Sequence, residues 1–374
     1  MYDVAIVGAR CAGAPLAMLL ARAGHSVLMV DRATFPSDTM STHFIQSPGM
    51  LRLHRWGLLE TLLDTGCPPI TDALFDTGGE LTELPIPLVP PVDGLVSARR
   101  FILDKILIDA AVAAGAELAE GVSVDAVLRD GERVTGVRGH TSEGDLEARA
   151  RFVVGADGRH SIVADKVGAG MVRFDEALSA GYYSYYTGTG IDRTQLFFYD
   201  DIAGVMFPTH DDAVCVAVVW ERDLFGELKR DIEGHFNAAL KRFGEEGQRV
   251  LDGERVERFV GTNDIHNYLR QTHGDGWALV GDAVYNKDPI PADGITDSFR
   301  GAEMLAGALD KVLTGELSEA DALAAYADGY RATADKRLEP AVRTSRFDLS
   351  PKQRLEAFIE IRMHDFAELD EMLA

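Results

Sequence analysis

Short apolar runs and a glycine-spaced turn dominate the first 32 residues of the chain. The apolar run 4–7 predicts a strand, and the turn 8–13 follows it directly. Apolar residues at helical spacing then predict a helix over 14–22. The apolar run 27–30 predicts a second strand, with Asp31 at its tip. This order of strand, turn, helix and strand predicts a βαβ unit.

Further patterns place the remaining elements. Helical spacing predicts helices at residues 48–63, 99–114, 222–243 and 297–313, and a mostly helical chain from there to residue 374. Runs rich in aromatic and β-branched residues predict an antiparallel sheet with strands at 180–187, 195–199, 203–207 and 213–220. The proline-rich stretch 66–92 predicts loops and edge strands, because proline cannot donate to a sheet ladder.

Composition and charge narrow the class of protein. The chain has 374 residues, 46% of them hydrophobic, and carries a formal net charge of −23. This acidic balance argues against a nucleic-acid partner or a basic membrane-binding face, and no apolar stretch is long enough to span a bilayer. Because a strand begins at once, we expect no signal peptide and a cytoplasmic protein. The three cysteines are far apart and form no CxxC pair, so we expect neither a disulfide framework nor a metal site.

The turn of the predicted βαβ unit is suited to an anion. A helix that begins right after a glycine-spaced turn presents free amides and the positive end of its dipole. Asp31, about 20 residues further on, can accept hydrogen bonds from the hydroxyls of an adenosine ribose. Arg10 stands where the middle glycine of this motif would be. The alternative is an ordinary crossover with small residues for close packing.

Two later segments repeat the pattern of a buried strand that ends in an aspartate beside small residues. The first runs from strand 151–155 into Asp157-Gly158, and the second from strand 277–280 into Gly281-Asp282 and on to Gly294-Ile295. Small residues there let a ligand meet a carboxylate and free amides without steric cost. Taken separately, each is also a common Asp-Gly turn. In order and spacing, the three segments resemble the FAD-dependent monooxygenases related to para-hydroxybenzoate hydroxylase, whose superfamily includes geranylgeranyl reductases and tryptophan halogenases.

The resemblance implies a fold and a division of the chain. It implies a mixed α/β protein with a glutathione-reductase-like Rossmann domain for FAD, an antiparallel substrate domain and C-terminal helices. The implied FAD-binding domain is discontinuous and consists of residues 1–72, 95–170 and 265–335. The implied substrate domain consists of residues 73–94 and 171–264, and a helical segment covers 336–374.

The resemblance also implies which residues hold a non-covalent FAD. It assigns the turn to the ADP part, Asp31 to the ribose, Arg100 to the ribityl or phosphate region, and Asp282 to the ribityl hydroxyls and phosphate. It assigns Asp157-Gly158 to the pyrophosphate and to transient NAD(P)H, and the Gly294-Ile295 amides to N1 and O2 of the flavin ring. The full cofactor set is Gly8, Arg10, Cys11, Ala12, Gly13, Asp31, Arg32, Thr42, Arg100, Val124, Asp157, Gly158, Gly281, Asp282, Pro289, Gly294 and Ile295.

Residues near the reaction are expected in the sheet and in one loop. Tyr183 and Tyr185 share one strand face, and one tyrosine pair lines the substrate pocket or packs in the core. Pro291 is expected to shape the pocket beside the flavin. His43 is the candidate catalytic residue, as a proton relay or substrate contact; the alternative is a loop histidine that caps the backbone. Cys11 is expected to be a small residue at a crowded turn.

The resemblance implies an oxidoreductase. Its first reading is hydroxylation or epoxidation of a small aromatic or polycyclic substrate with O2, through a flavin C4a-hydroperoxide, with NADPH or NADH as transient reductant. Asp165 and Lys166 stand where the family has an arginine, so a flavin reductase partner is an alternative source of reduced flavin. The halogenase signature Trp-x-Trp-x-Ile-Pro is absent from the sequence. The alternatives are a reductase or dehydrogenase acting on a C=C bond, and a flavin-binding protein without turnover.

Overall fold

The computed structural model describes residues 1–86 and 88–374. Its strands are β1 (Tyr2–Val7), β2 (Val27–Val30), β3 (Phe44–Ile45), β4 (Asp72–Thr77), β5 (Leu81–Pro85), β6 (Val96–Ser97), β7 (Glu117–Ala119), β8 (Ser123–Asp130), β9 (Arg133–Thr141), β10 (Gly144–Gly155), β11 (Met171–Asp175), β12 (Ser179–Thr187), β13 (Thr194–Phe198), β14 (Ile202–Pro208), β15 (Val214–Glu221), β16 (Glu254–Arg255), β17 (Val260–Thr262), β18 (Asn267–Arg270), β19 (His273–Gly274), β20 (Trp277–Leu279) and β21 (Tyr285–Asn286).

The helices alternate with these strands at first and then fill the C-terminal part. They are α1 (Gly13–Arg22), α2 (Ser47–Arg55), α3 (Leu59–Leu63), α4 (Arg100–Ala113), α5 (Ile162–Val167), α6 (Phe225–Leu228), α7 (Ile232–Arg242), α8 (Gly244–Asp252), α9 (Gly294–Leu313), α10 (Glu319–Thr344) and α11 (Pro351–Leu373).

A largely parallel sheet carries the predicted βαβ unit. Its order is β19-β20-β10-β1-β2-β7, and β1 pairs in parallel with both β2 and β10. The long strand β10 has three partners: its first half pairs antiparallel with β9, and its second half pairs in parallel with β1 on one side and β20 on the other. The hairpin β8–β9 turns around Asp130 and Gly131 as the sequence predicts. Helix α1 packs against both α4 and α9.

A second sheet, in the order β16-β12-β15-β14-β13-β4-β5, contains the four predicted antiparallel strands β12 to β15. One pairing departs from the antiparallel expectation, because β13 pairs in parallel with β4. The expectation of only edge strands within 66–92 is therefore wrong for β4, which lies between β13 and β5 and has a largely buried sequence. The division into two domains at the boundaries given above stays a prediction.

Two of the predicted helices are broken. The stretch 48–63 forms α2 and α3, because the chain turns at Gly57, whose φ is 75°. The stretch 222–243 is also divided, into a 3-10 turn, α6 and α7, and Asp231 accepts a hydrogen bond from the Gly234 amide to begin α7. The sequence reading missed α8. The helical spacing of apolar residues continues past each break, so the sequence pattern did not reveal where these helices end.

The C-terminal helices close the molecule. α11 packs against α10 and α2 and also reaches β13 and β4 of the second sheet. Phe358 of α11 lies edge-to-face with Phe75 and Phe198 of that sheet, at ring distances of 5.7 and 6.3 Å. Across the described part of the chain, no helix combines the length and apolar character needed to cross a membrane.

We predict that Phe243→Ala destabilises the protein by about 3–5 kcal/mol, because it removes a buried aromatic ring and leaves a cavity. The Phe243 ring is 2% exposed and stacks on Phe197 at 4.2 Å. Urea denaturation measures the change. Phe174→Ala is the matched control, since that ring is 47% exposed and its loss should cost less than about 1 kcal/mol. Equal costs for the two substitutions would contradict this account of the core.

Candidate functional site

A cavity of about 760 Å³ opens where strands β1, β2, β10 and β20 end, and it continues to the second sheet. Ligands of parallel α/β sheets bind at this edge. The cavity brings together most of the residues expected at the site. These are Gly8, Arg10, Cys11, Ala12, Asp31, Arg32, His43, Thr42, Arg100, Val124, Asp157, Gly158, Tyr183, Asp282, Pro289, Gly294 and Ile295.

Four of the expected site residues do not line the cavity: Gly13, Tyr185, Gly281 and Pro291. Gly13 and Gly281 lie behind the residues that line the cavity, where they allow neighbouring segments to pack closely. A Cβ atom on Gly13 would lie 1.8 Å from the carbonyl oxygen of Gly8. A Cβ atom on Gly281, which has φ +64°, would lie 2.7 Å from the Cβ of Ala12.

Gly8 makes the sharp turn after β1. Its φ is +100°, and a Cβ atom there would lie 2.4 Å from the carbonyl oxygen of Ala156. The ends of β1 and β10 therefore approach as closely as backbones can. In the first turn of α1 the Ala14 amide donates to the Arg10 carbonyl oxygen at 2.9 Å and Pro15 has no amide proton, so the helix favours an anion chiefly through the positive end of its dipole.

Asp31 holds the turn from the second strand. One carboxylate oxygen accepts the Ala9 amide and the other accepts the Ala33 amide, both at 2.8 Å. The side chain is almost fully buried and lines the cavity. Each oxygen keeps a lone pair for a further donor, as ribose hydroxyls would supply.

The Arg10 side chain points away from the backbone of the glycine-spaced turn. Its guanidinium donates to Asp104 at 2.7 Å and to Ser37, and it lies over the Phe35 ring. Asp104 is fully buried and also accepts hydrogen bonds from Arg100 and from the Cys11 thiol. Sequence reasoning gave Asp104 no role. Asp104 lies four residues after Arg100 on a helix, and this spacing is the sequence signal that would have predicted their ion pair.

Arg100 and Asp282 lie near each other in the middle of the cavity. Burial raises the pKa of Asp282, and the positive charge of Arg100 opposes that shift. Within the described residues, no side chain donates a hydrogen bond to the Asp282 carboxylate, whereas Tyr268 donates to its main-chain carbonyl at 2.6 Å. A cavity-lining carboxylate without a protein donor suits a ligand that carries hydroxyls.

The Asp157 carboxylate has a structural task. It accepts the Ser161 hydroxyl at 2.5 Å and the amides of Ile162 and Val163, and so it caps the start of α5. Burial raises the pKa of Asp157, and these hydrogen bonds oppose the shift. Its lone pairs are largely committed to the protein, while Gly158 borders the cavity.

A short turn leads into α9. Ala292 has φ 56°, a left-handed conformation that is costly for a residue with a Cβ. Gln46 donates to the carbonyl oxygens of Pro291 and Ala292 at 3.2 and 3.4 Å and holds the turn from behind. Gly294 has no positive φ, and a Cβ atom there would meet nothing within 4 Å. The left-handed position in this turn is therefore Ala292 and not the glycine, while Gly294 leaves cavity space open.

Buried ion pairs anchor this turn to the C-terminal helices. Lys287 pairs with Asp293 and Asp297, and Asp293 also pairs with Arg362 of α11. The positive charges of Arg362, Lys287 and Arg337 hold the pKa of Asp293 below its ordinary value. The cluster continues through Arg52, Arg300, Arg337, Asp365 and Glu368. Lys287 and its neighbour Asp288 are both buried.

The far end of the cavity is a sheet face. Tyr183, Ala217 and Val205 are cross-strand neighbours on it. The other members that line the cavity on this face are Gly181, Leu196, Phe198, Ala203 and Val219. Tyr182 also borders the cavity, although its ring stacks on Phe225 in the core on the opposite side. The end of the cavity is therefore apolar.

His43 borders the cavity from the loop before β3. It is 1% exposed and has φ 66°, and Tyr185 shares a short hydrogen bond with its Nε2 atom. Burial and the neighbouring Arg100, Arg99 and His210 hold the pKa of His43 well below its ordinary value. The ring is therefore neutral at physiological pH.

The arrangement fits a dinucleotide whose reactive ring points toward the sheet. The turn before α1 carries small residues, so a pyrophosphate can approach the backbone there. The Asp31 carboxylate can accept hydrogen bonds from a ribose, and the Asp282 carboxylate can accept them from further hydroxyls. The fold and the site thus define a protein of the Rossmann type with a cavity that can hold a dinucleotide.

Comparison with known proteins identifies the family. Residues 1–341 match the family described as FAD binding domain, so the chain belongs to that family. Among curated relatives, it is 24% identical to tryptophan 2-halogenase of Chondromyces crocatus over 88% of this chain and 65% of that protein, just under two thirds of its length. It is 27% identical to digeranylgeranylglycerophospholipid reductase 2 of Methanopyrus kandleri, over 96% of this chain and 90% of that one.

Solved structures share the fold. The myxobacterial chondrochloren halogenase CndH is 25% identical, with a TM-score of 0.79 over 88% of this chain and 79% of that one. PqsL of P. aeruginosa, solved with 2-aminobenzoylacetate, is 24% identical, with a TM-score of 0.83 over 96% of this chain and 99% of that one. The protein is an FAD-dependent oxidoreductase of the monooxygenase, halogenase and reductase superfamily. The cofactor expected from the sequence is confirmed as FAD.

We predict that Glu368→Gln destabilises the protein at neutral pH by about 3 kcal/mol, since one pKa unit corresponds to about 1.36 kcal/mol. The charges of Arg300, Arg52 and Arg337 lower the pKa of Glu368 to about 2 from its ordinary 4.5. The stability contributed by this lowered pKa is present above pH 4.5 and is lost as the pH falls towards 2.

Urea denaturation at a series of pH values measures the effect. The difference between wild type and Glu368→Gln should shrink as the pH falls below about 4.5. Glu371→Gln on the exposed side of the same helix is the control, with an expected change within about 0.5 kcal/mol. A difference that stays constant with pH would show that the charge of Glu368 contributes nothing.

Proposed function

We propose that the protein is a monooxygenase that hydroxylates or epoxidises a small aromatic or polycyclic compound. One oxygen atom of O2 would enter the substrate, the other would leave as water, and NAD(P)H would supply the two electrons. The observation that carries this proposal is the single continuous cavity. It begins at the dinucleotide-type turn of Gly8 and ends at an apolar sheet face.

The proposed role of each group follows from where it lies along the cavity. FAD supplies the redox chemistry and the activation of oxygen, and the protein supplies binding, orientation and electrostatics. The turn that leads into α1, the dipole of that helix and the Asp31 carboxylate would hold the ADP part. Arg100 and Asp282 would hold the phosphate and ribityl part, and the first amides of α9 would offset negative charge on the reduced ring.

The apolar sheet face suits oxygen transfer. Gly181, Ala203 and Ala217 leave a shallow surface on which a flat ring system can lie. Cavity walls of this kind exclude water from a reactive oxygen species and hold the substrate by burial of apolar area. Tyr183 is the one phenol of its strand face that borders this space. It is therefore the residue we assign to substrate contact.

The reductant would reach the flavin without a nucleotide domain of its own. Within residues 1–86 and 88–374, β1, β2, β7, β10 and β20 form the parallel ladder, and the second sheet is mainly antiparallel. NAD(P)H would therefore bind transiently near Gly158 and Arg159. A reductase partner that delivers reduced flavin is the alternative. Stopped-flow reduction by NADH or NADPH alone decides between the two sources.

A reductase acting on a C=C bond is the second candidate function. The similarity to digeranylgeranylglycerophospholipid reductases over nearly the whole chain supports it. An apolar cavity end would also accept an isoprenoid chain. A flavin-binding protein without turnover is the third candidate, and reduced flavin that reoxidises without any product would favour it.

We predict that Asp31→Ala weakens FAD binding by about 1.5–3 kcal/mol, or roughly 10- to 100-fold, because hydrogen bonds to a charged group are lost. Fluorescence titration of apoprotein with FAD measures the dissociation constant. Asp31→Asn keeps the shape of the side chain and should lie between alanine and wild type. Asp109→Ala on the outer side of α4 is the control. FAD affinity that is unchanged in Asp31→Ala would place the adenosine elsewhere.

We predict that product formation requires O2. Purified protein should be yellow and release FAD, and not FMN, on denaturation. A panel of aromatic and polycyclic compounds incubated with NADPH should gain one oxygen atom in air and remain unchanged without it. Reduction of an isoprenoid C=C bond under anaerobic conditions would favour the reductase instead. A halogenated product in the presence of chloride or bromide would also contradict the proposal.

A further inference from the structure

His43 is held in a costly conformation beside the cavity. Its φ of 66° lies in the left-handed region, which is unfavourable for a residue other than glycine. Such strain persists only where the surroundings impose it. The His43 amide donates to the Ser41 hydroxyl at 3.0 Å, and the ring stacks against Tyr185 with nearly parallel planes. The local structure therefore fixes where the imidazole lies.

The two ring nitrogens of His43 differ. Nε2 is hydrogen-bonded to the Tyr185 hydroxyl. Nδ1 is buried and has no hydrogen-bond partner among the described residues. Buried polar atoms are nearly always paired, so an unpaired one at a cavity wall points to a ligand atom. His43 is among the residues that line the cavity, so a ligand bound there is the candidate partner of Nδ1.

The hydroxyl of Tyr185 is the donor in this pair. Burial raises its pKa far above the ordinary value, so the phenol keeps its proton. The Arg99 guanidinium lies 4.0 Å above the Tyr185 ring and draws electron density from it, which makes the hydroxyl a better donor. Cys215, the cross-strand neighbour of Tyr185, offers only a weak sulfur acceptor. The imidazole is thus the best available acceptor for the phenol proton.

We propose that Tyr185 is a positioning residue that fixes His43 as the Nδ1-protonated neutral tautomer, so that His43 presents a permanent hydrogen-bond donor to the cavity. A neutral imidazole donates through one nitrogen and accepts through the other. With Nε2 accepting from Tyr185, Nδ1–H is left to donate. Arg99 and Arg100 disfavour a second proton on the ring, so His43 acts as a fixed donor and not as a cation.

The partner of this donor is a hydrogen-bond acceptor, either a carbonyl oxygen or ring nitrogen of the flavin or an oxygen atom of the substrate. Only the choice between flavin and substrate as the acceptor rests on the proposed function. The tautomer itself is a property of the folded chain and is measurable in protein without FAD. A failure of the monooxygenase proposal would therefore leave the test of Tyr185 unaffected.

The test is a two-bond nitrogen–proton correlation spectrum of the protein labelled with ¹⁵N-histidine. His43 is assigned by the signal lost in His43→Asn, because asparagine tolerates a left-handed backbone. Wild type should show a neutral ring with the proton on Nδ1 from about pH 5.5 to about 8, the range in which an ordinary histidine titrates. A proton on Nε2 in wild type would overturn the proposal.

Two tyrosine variants make the comparison specific. Tyr185→Phe removes the hydroxyl alone and should abolish the fixed Nδ1–H signal, leaving an exchanging mixture of tautomers. Tyr183→Phe removes a neighbouring hydroxyl that accepts from the Ser41 amide and, among the described residues, has no hydrogen bond with His43, so the His43 spectrum of this variant should match wild type. A His43 spectrum in Tyr185→Phe identical to wild type would also overturn the proposal.

Loading with FAD distinguishes the two sources of the acceptor. A downfield shift of the Nδ1–H proton when apoprotein binds FAD supports the proposal with the flavin as partner. An unchanged proton with FAD, followed by a shift when a turned-over compound is added, supports it with the substrate as partner. No shift with FAD or with that compound would overturn the assignment of His43 as a donor to the cavity.

Discussion

The close approach of three strand-end turns is the constraint on which the site depends. The turns after β1, β10 and β20 meet with so little space that a methyl group on Gly8 or Gly281 would overlap a neighbouring turn. This proximity brings Asp157, after β10, and Asp282, after β20, to one cavity, which Asp31 borders from the end of the adjacent strand β2. The sheet order serves this arrangement, because it places the three strands side by side.

A second arrangement, the buried ion cluster around Asp293, keeps the α9 turn in place. Charges in a protein interior are costly unless they are paired and hydrogen-bonded, and removing one partner leaves the other uncompensated. Here Lys287, Arg337 and Arg362 surround Asp293. The same helix that carries Arg362 also places Phe358 against the second sheet. α11 therefore links the turn beside the cavity to the sheet that ends it.

The superfamily shows that one scaffold supports several reactions, and the reasons are visible in this chain. The groups expected to hold FAD come from strand ends and helix starts, which the fold itself places. The groups proposed to contact a substrate lie on the face of β12 to β15, where side chains that point to the cavity can differ without altering the backbone ladder. A halogenase and a reductase are among the relatives that are similar to this chain, over 88% and 96% of its length.

The sequence by itself determined the local elements whose patterns are read within a few residues. The first βαβ unit, the hairpin at Asp130-Gly131 and strands β12 to β15 form as predicted, because alternation, turn chemistry and glycine spacing act locally. The family and its cofactor also followed from the order of the three strand-end motifs. The proposed roles of the individual site residues stay predictions.

Only the tertiary structure decided the contacts between distant segments. Nothing local reveals that Arg10 turns to Asp104, that Asp157 caps α5, or that Lys287 is buried among carboxylates. The parallel pairing of β13 with β4 joins segments more than a hundred residues apart, and the helix breaks near Gly57 and Asp231 interrupt patterns that look continuous. The pairing of His43 with Tyr185 likewise spans 142 residues. Long-range burial and charge pairing set these contacts, and neither has a periodicity that a sequence displays.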